Sequence, residues 1–348
     1  MMKVAVGRTH ALEPGNLWDK GLSDLLAEAA APVVSGIAVD GIFCAGAAVP
    51  GRQADPATIV ADRLGLDPLV ALSFDCADVS GAAALFAAFQ HLRAGACRRA
   101  LVVGATKVSD ASEPQRLSLM DESLDHDADI ARGIDFTTQA GLLAGHYCRE
   151  RGRDAAIFAE TTAANLAAWA THARQHVPTA AELRRDLLVS PPLVRSDFAQ
   201  LLDGSCAVLL SDAEDCECPR LVVDAMSSGS DVVSVWERKE PLAFEAARAA
   251  VRRLPDVRAP NWLEIDAGVS VAQVLCEDAI DAVLPGNPQV RKRNLRGGSF
   301  GRGRVIGSSA LYQLADIDKI AVRGDSALLL AVSGLGSHVF AARLSGIT

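Results

Sequence analysis

The chain has 348 residues, enough for two ordinary domains or one large one, and half of them are apolar while only 5% are aromatic. A formal charge of -9 excludes a nucleic-acid partner, because phosphate-backbone binding needs a basic face. No apolar run reaches the roughly 20 residues that span a bilayer, and Met1-Met2-Lys3-Val4 leads into a predicted strand rather than a signal peptide. The expectation is a soluble, cytoplasmic protein with no membrane partner. Its eight cysteines are scattered through apolar segments, as reduced and mostly buried thiols would be.

In chain order, Lys3 to Val6, Gly41 to Cys44, Ala71 to Asp75 and Leu101 to Gly104 read as strands separated by helical stretches, which predicts an α/β fold. The run from Gly81 to Gly95 is apolar almost all the way round until its last turn, so a central buried helix is expected, with Gly95 as its C-terminal cap. From about Ser109 to Gln200 the pattern is interrupted by helical and polar stretches at Thr138 to Arg151, Thr161 to His176 and Ala181 to Leu188. A strand at Ala207 to Leu210 and a polar connector at Ser211 to Pro219 follow. A similar order then restarts with strands at Leu221 to Asp224, Leu263 to Asp266, Ala327 to Ser333 and Val339 to Arg343. The organisation expected is an N-terminal half at 1–214 carrying an inserted segment at about 109–200, and a related C-terminal half at 219–348.

Between the last helices of the second half lies the most informative segment, Asn294-Leu295-Arg296-Gly297-Gly298-Ser299-Phe300-Gly301-Arg302-Gly303-Arg304-Val305-Ile306-Gly307. Its glycines describe a backbone that turns sharply and opens a helix at Ser308 to Ile317, presenting peptide N–H groups to an anion or oxyanion. The segment resembles N-x-x-G-G-x-x-x-x-G-H-P-x-G of the thiolase superfamily, sterol-carrier-protein (lipid-transfer-protein-like) type, with Arg304 in place of the acyl-transfer His and Val305 in place of Pro. Gly7-Arg8-Thr9, Ser190-Pro191-Pro192-Leu193-Val194 and Asp203-Gly204-Ser205-Cys206-Ala207-Val208-Leu209-Leu210 extend the likeness over nearly the whole chain. The resemblance implies a thiolase fold: two related halves in a five-layer αβαβα arrangement, with the inserted segment as a loop domain over the acyl-CoA site.

It also implies four catalytic positions. The nucleophilic Cys of a C-x-S-G pattern precedes the buried helix; with Ser80-Gly81 fixing the register, its place holds Asp78, and Cys76 stands two residues earlier as the other candidate. The oxyanion-binding His corresponds to Ile265, which has no donor to offer. The base corresponds to Arg304, whose guanidinium stays protonated. The second acid/base Cys before the last strand corresponds to the segment at Leu330, which has no Cys, and His338 follows only after the turn. Losing all four groups removes every named role in Claisen condensation or thiolysis. In their place an Asp78–Arg304 ion pair is expected across the old site.

Arg296, Gly297, Gly298 and Arg302, with Arg291-Lys292-Arg293, form a basic stretch that could contact coenzyme A or another anion, or simply be solvated. His146 and Tyr147 are an unclaimed acid/base pair on a predicted loop-domain helix. Cys216-Glu217-Cys218 and the His172/His176 spacing lack the further ligands of a metal site, and Asp121 to Asp129 lacks the glycine of a calcium loop, so no metal is expected.

The reading these residues support is a thiolase-like, non-catalytic subunit that binds acyl-CoA or pairs with a competent partner, with no cofactor of its own and coenzyme A or acyl-CoA as its ligand. The partners implied by the resemblance are a second thiolase-like chain, in a homodimer or heterodimer formed through the strand at Ala71 to Asp75, and a small zinc-ribbon and OB-fold protein. The alternative is an acyl-CoA C–C lyase of the retro-aldolase kind, or another acyltransferase-related enzyme, in which Asp78, Arg304, His146 or Tyr147 supply base and enolate stabilisation.

Overall fold

The computed structural model describes residues 2–48, 51, 53–173, 176–216, 219–257, 260–284 and 292–347. In chain order the elements are β1 (Val4–Ala11), α1 (Leu22–Val34), β2 (Gly41–Ala48), α2 (Pro56–Leu64), β3 (Val70–Phe74), α3 (Ser80–Arg93), β4 (Arg99–Lys107), α4 (Glu113–Asp121), α5 (Phe136–Arg151), α6 (Ala156–Ala173), α7 (Ala180–Leu183), β5 (Leu188–Ser190), β6 (Leu193–Val194) and β7 (Gly204–Asp212). They continue with β8 (Leu221–Ser230), α8 (Glu245–Arg252), β9 (Trp262–Asp266), α9 (Ser270–Val283), β10 (Lys292–Arg293), α10 (Gly298–Arg302), α11 (Ser309–Ile320), β11 (Ser326–Ser333) and β12 (His338–Gly346).

Ten strands form one sheet in the order β10-β9-β11-β12-β8-β1-β7-β4-β2-β3. Its two ends repeat the same plan, β3-β2-β4-β7-β1 and β10-β9-β11-β12-β8, with parallel pairs outermost and antiparallel pairs toward the middle. Antiparallel pairing of β1 with β8, Val4 opposite Val223 and Val6 opposite Leu221, joins the two five-stranded units.

Strand alternation assigns the layers. In β4, Ala100 and Val102 face the cluster built by α3 and α11, whereas Leu101 and Val103 face α1 and α2. In β11, Ala327 and Leu329 join the same α3/α11 cluster, while Leu328 and Leu330 pack under α8 and α9. The order through the molecule is therefore α1/α2, first strands, α3/α11, second strands, α8/α9. Strands covered on both faces are apolar at nearly every position, as β4 and β11 are.

The two central helices are buried along most of their length, and their exposed residues, Gln90 and Arg93 in α3 and Lys319 and Ile320 in α11, lie toward the C-terminal ends. Gly307, at the entry to α11, packs so closely on α3 and β4 that only hydrogen fits: a side chain on Gly81 or Gly104 would collide with the Gly307 carbonyl, and one on Gly307 with the Ala105 carbonyl. Tyr312 locks the same seam, its hydroxyl within 2.6 Å of the Leu12 carbonyl and 3.0 Å of the Ser205 carbonyl.

The inserted segment departs from its sequence reading at one end. The helix expected over Ala181 to Leu188 stops at Leu183, and Leu188–Ser190 is a strand paired with Leu193–Val194 ahead of the loop's return. The residue before a proline is disfavoured in a helix, and Pro191-Pro192 follows directly. The acidic stretch Asp121 to Asp129 is tied down by Asp129, which is fully buried and accepts from Ser234 Oγ at 2.7 Å. No helix among the described residues is long and apolar enough to cross a membrane.

Candidate functional site

The glycine-rich loop begins where β9 ends. Asn294, in a left-handed turn, uses its Oδ1 to accept the Ile265 N–H at 2.8 Å, and Leu295 N–H is held at 2.6 Å by Glu264 Oε1. Gly297 and Gly303 take positive φ values of 74° and 97°, so the backbone reverses twice around the short helix α10. The chain returning from the loop domain then clamps Arg304: its N–H donates to Gln200 O at 2.7 Å, and Leu202 N–H donates to its carbonyl at 3.0 Å. Both side-chain direction and backbone of Arg304 are thereby fixed inward, and the residue is 2% exposed.

From the other half, β3 passes into α3 through a tight turn in which Ala77 has φ 48°. Ser80 Oγ accepts the Cys76 N–H at 2.8 Å and donates to the Ala77 carbonyl at 2.8 Å, which aims Asp78 into the interior. A carboxylate at this place is favoured by the α3 N-terminus for the same reason a thiolate would be. Asp78 Oδ1 lies 2.7 Å from Arg304 Nη2, with the two side chains 2% and 3% exposed. Its other oxygen accepts the Gly334 N–H at 2.7 Å from the turn after β11. The contact with arginine is an ion pair rather than an aligned hydrogen bond, since neither Asp78 Oδ1 nor Arg304 Nη1 has a hydrogen-bond partner.

The pair closes the space it occupies. A side chain on Gly268 would collide with the Arg304 guanidinium. A permanently protonated guanidinium cannot take a proton, and the one peptide N–H aimed at Asp78 is already bound by its carboxylate. The arrangement sets opposite charges against each other and leaves Arg304 Nη1 as a buried donor without a hydrogen-bond partner.

Two positions singled out in the sequence face elsewhere. Ile265 and Leu330 are opposite each other on β9 and β11, and both side chains lie in the core beneath α8 and α9. Because neighbouring strand residues point to opposite faces, the β9 residue turned toward the pair is Asp266, whose Oδ1 accepts from Ser299 Oγ at 2.6 Å. Burial pushes the Asp266 carboxyl up to about 6 against the opposing pull of Arg304. Near Leu330, the residue that reaches the site is Gly334. Alternation along a strand is the signal that could have found Asp266; nothing in the sequence marks Gly334.

The remaining candidates have local partners. Cys76 is half-buried against the α3/α11 core, and burial raises its thiol, so its thiolate is disfavoured. Arg302 is buried in an ion pair with Asp316 and stacks on Tyr312, its guanidinium carbon 5.1 Å from the ring centre. Arg296 lies 3.5 Å from the same Asp316 and over Trp169. Gly297 and Gly298 approach Asn165 and Asn294 too closely to carry side chains. Glu264, fully buried beside this cluster, is pushed up to about 8 by desolvation. Tyr147 is buried against Phe158 with Asp278 beside it, and its phenol is raised chiefly by burial. His146 instead lines a shallow cavity of about 310 Å³ with Arg151, Lys239 and Arg248. These two thus part company within one turn of α5. Arg291, Glu217, Cys218 and the His172 side chain lie outside the described residues. Among the described residues no group of three His, Cys, Asp or Glu could hold a metal ion.

No family model matches the sequence. The chain is 22% identical to an acetyl-CoA acetyltransferase of Methanothermobacter thermautotrophicus, over 91% of this chain and 90% of that one. It is 23% identical to an acetyl-CoA acetyltransferase of Methanocaldococcus jannaschii over 68% of this chain and 64% of that relative. Among solved structures it is similar to human mitochondrial 3-ketoacyl-CoA thiolase (TM-score 0.77, 16% identity, 99% of both chains) and to the same enzyme in complex with CoA (0.77, 17%, 100% of this chain and 98% of that one). It is also similar to a chain of the Ltp2-ChsH2(DUF35) aldolase (0.75, 15%, 99% of this chain and 98% of that one). The chain has the thiolase fold, and its relatives support a place in the thiolase superfamily.

Proposed function

We propose that this is a thiolase-fold subunit without thiolase chemistry of its own, acting as an acyl-CoA-binding or partner chain in a heteromeric complex. The observation that carries the reading is the closed Asp78–Arg304 pair, a 2.7 Å contact between side chains almost wholly out of water. It stands where the sequence resemblance puts nucleophile and base. The similarity to a structure titled as a complex with CoA keeps coenzyme A as the ligand of choice. The similarity to the Ltp2-ChsH2(DUF35) aldolase supports a DUF35-type partner.

The strand edge at β3 is the surface for a second thiolase-like chain: it is one of the two edges of the sheet, and Leu69 and Leu72 are 80% and 38% exposed beside it. On this reading the halves are 1–214 and 219–348, the loop domain is about 109–200, and the protein works in the cytoplasm. The test is an assay of thiolysis with acetoacetyl-CoA and CoA alongside titration calorimetry of CoA. Saturable CoA binding without turnover, unchanged by Cys76→Ala, is expected. Turnover by the lone chain would defeat the proposal.

A second reading, an acyl-CoA C–C lyase, is favoured by the aldolase similarity and by Asp266, a buried carboxyl raised to about 6 next to Arg304. It requires the pair to open. Cleavage of a β-hydroxyacyl-CoA that appears only with a DUF35-type partner and is abolished by Asp266→Asn would put this reading first.

A further inference from the structure

Arg304 is met by Asp78, Arg302 and Arg296 by Asp316, and Arg343 by Asp224, as guanidinium groups drawn out of water require. Arg248, half-buried in the middle of α8, is not. Among the described residues its side chain has no ion pair or hydrogen bond, and its Nε is shut off from water without a partner. An N–H withdrawn from water with no acceptor is unfavourable, and an acceptor brought from outside the chain relieves it. Arg248 lines a cavity of about 310 Å³ between α5 and the start of α8, at the lower end of the size range of small-molecule sites.

The rest of the lining repeats the pattern. His146 and Arg151 come from α5, and Lys239 from the segment that leads into the turn Pro241–Ala243. No described carboxylate lies within ion-pair distance of any of the three; Asp278 acts on Arg151 only from farther away. Glu150 and Glu240 share the lining, so three permanent cations and a histidine stand against two carboxylates, in a chain of net charge -9. That balance selects a ligand with anionic oxygens for the cations and hydroxyl donors for the glutamates, and guanidinium with ammonium is a donor set suited to phosphate oxygens. We propose that this cavity binds the phosphate group of a small, hydroxylated phosphate ester, held chiefly by Arg248 and Lys239. The lining shares no residue with the Asp78–Arg304 site, so the inference goes beyond the subunit reading and stands without it. Two sources carry this chemistry, a free small ester and the ribose phosphate of coenzyme A.

The test is calorimetric titration of the intact chain with glycerol phosphate, with glycerol as the uncharged control. Saturable binding of the phosphate ester and none of glycerol is expected. Arg248→Gln should weaken it about tenfold and Lys239→Gln about threefold. Arg252→Gln, which removes an exposed cation of the same helix that is paired with Glu245, should change it by less than about twofold. Lys239 is exposed, so its variant reads the site even where Arg248→Gln lowers the melting temperature. Absence of saturable binding to the wild type, or an equal loss in Arg252→Gln and Arg248→Gln, overturns the proposal. A parallel titration compares coenzyme A with dephospho-coenzyme A, which lacks the ribose phosphate. A preference for coenzyme A that Arg248→Gln removes assigns the cavity to that phosphate. Coenzyme A affinity unmoved by Arg248→Gln, with glycerol phosphate binding lost, assigns it to a separate small ester. Failure to bind coenzyme A at all would defeat the acyl-CoA reading while leaving the glycerol phosphate result intact.

Discussion

Arg302 and Arg304 are two residues apart, both buried, and both paired with an aspartate, yet they belong to different parts of the structure. Arg302 reaches Asp316, fourteen residues on in α11 and in the same half, where Arg296 and Lys319 also face the carboxylate. Arg304 reaches Asp78, just before α3 in the other five-stranded unit, and among the described residues no other arginine or lysine lies within ion-pair distance of that carboxylate. The first pair is redundant and local, part of how the second half holds its loop. The second is long-range, and it stands where the sequence resemblance puts nucleophile and base. A buried ion pair gives little net stability over an apolar filling, but breaking one partner is costly.

The contrast can be broken most forcefully at Arg304. Arg304→Met leaves Asp78 and Asp266 buried without their cation, and a loss of about 3–5 kcal/mol in urea unfolding is expected. Asp78→Leu/Arg304→Met, which removes both charges, should return most of it, to within about 1–2 kcal/mol of wild type. Arg302→Met should cost less than Arg304→Met, about 2–3 kcal/mol, because Arg296 and Lys319 remain near Asp316. If the two single variants cost the same, the redundancy argument fails.

A pH series sharpens the comparison from the acid side. The folded state raises Glu264 from 4.5 to about 8 and Asp266 from 3.8 to about 6. Between those values the native protein keeps protons that the unfolded chain releases, so the contribution of these groups is full below about pH 4 and declines as pH rises. Glu264→Gln should flatten the fall in stability between about pH 5 and pH 8. The smallest effect is reserved for Cys76→Ser, half-buried and outside the pair: under about 1 kcal/mol and no change in CoA binding.

How much of this was legible beforehand divides along the same line. The repeated strand and helix order and the buried helix at Gly81 to Gly95 followed from glycine positions and apolar periodicity, which act over short stretches of chain, whereas the facing of Asp78 and Arg304 was implied by the thiolase resemblance. Ile265 and Leu330 were named from motif spacing, but on a strand a one-residue offset turns a side chain from site to core, and Asp266 and Gly334 are the residues that reach inward. That the Arg238 guanidinium donates to the Val232, Val233 and Leu335 carbonyls depends in part on Leu335, which is distant in sequence and leaves no mark near Arg238. The two-residue strand β10 is too short to leave any pattern.

The pairing of Asp78 with Arg304 also constrains how such a sequence can change. Placing a cysteine at 78 alone strands a buried guanidinium, and placing a histidine at 304 alone takes the arginine away from a buried carboxylate. Each intermediate carries a folding defect before any activity could reward it. The two codons, which lie in opposite halves of the gene, are bound into a single evolutionary step, and a population holding this pair sits behind a barrier that one-letter mutation does not cross.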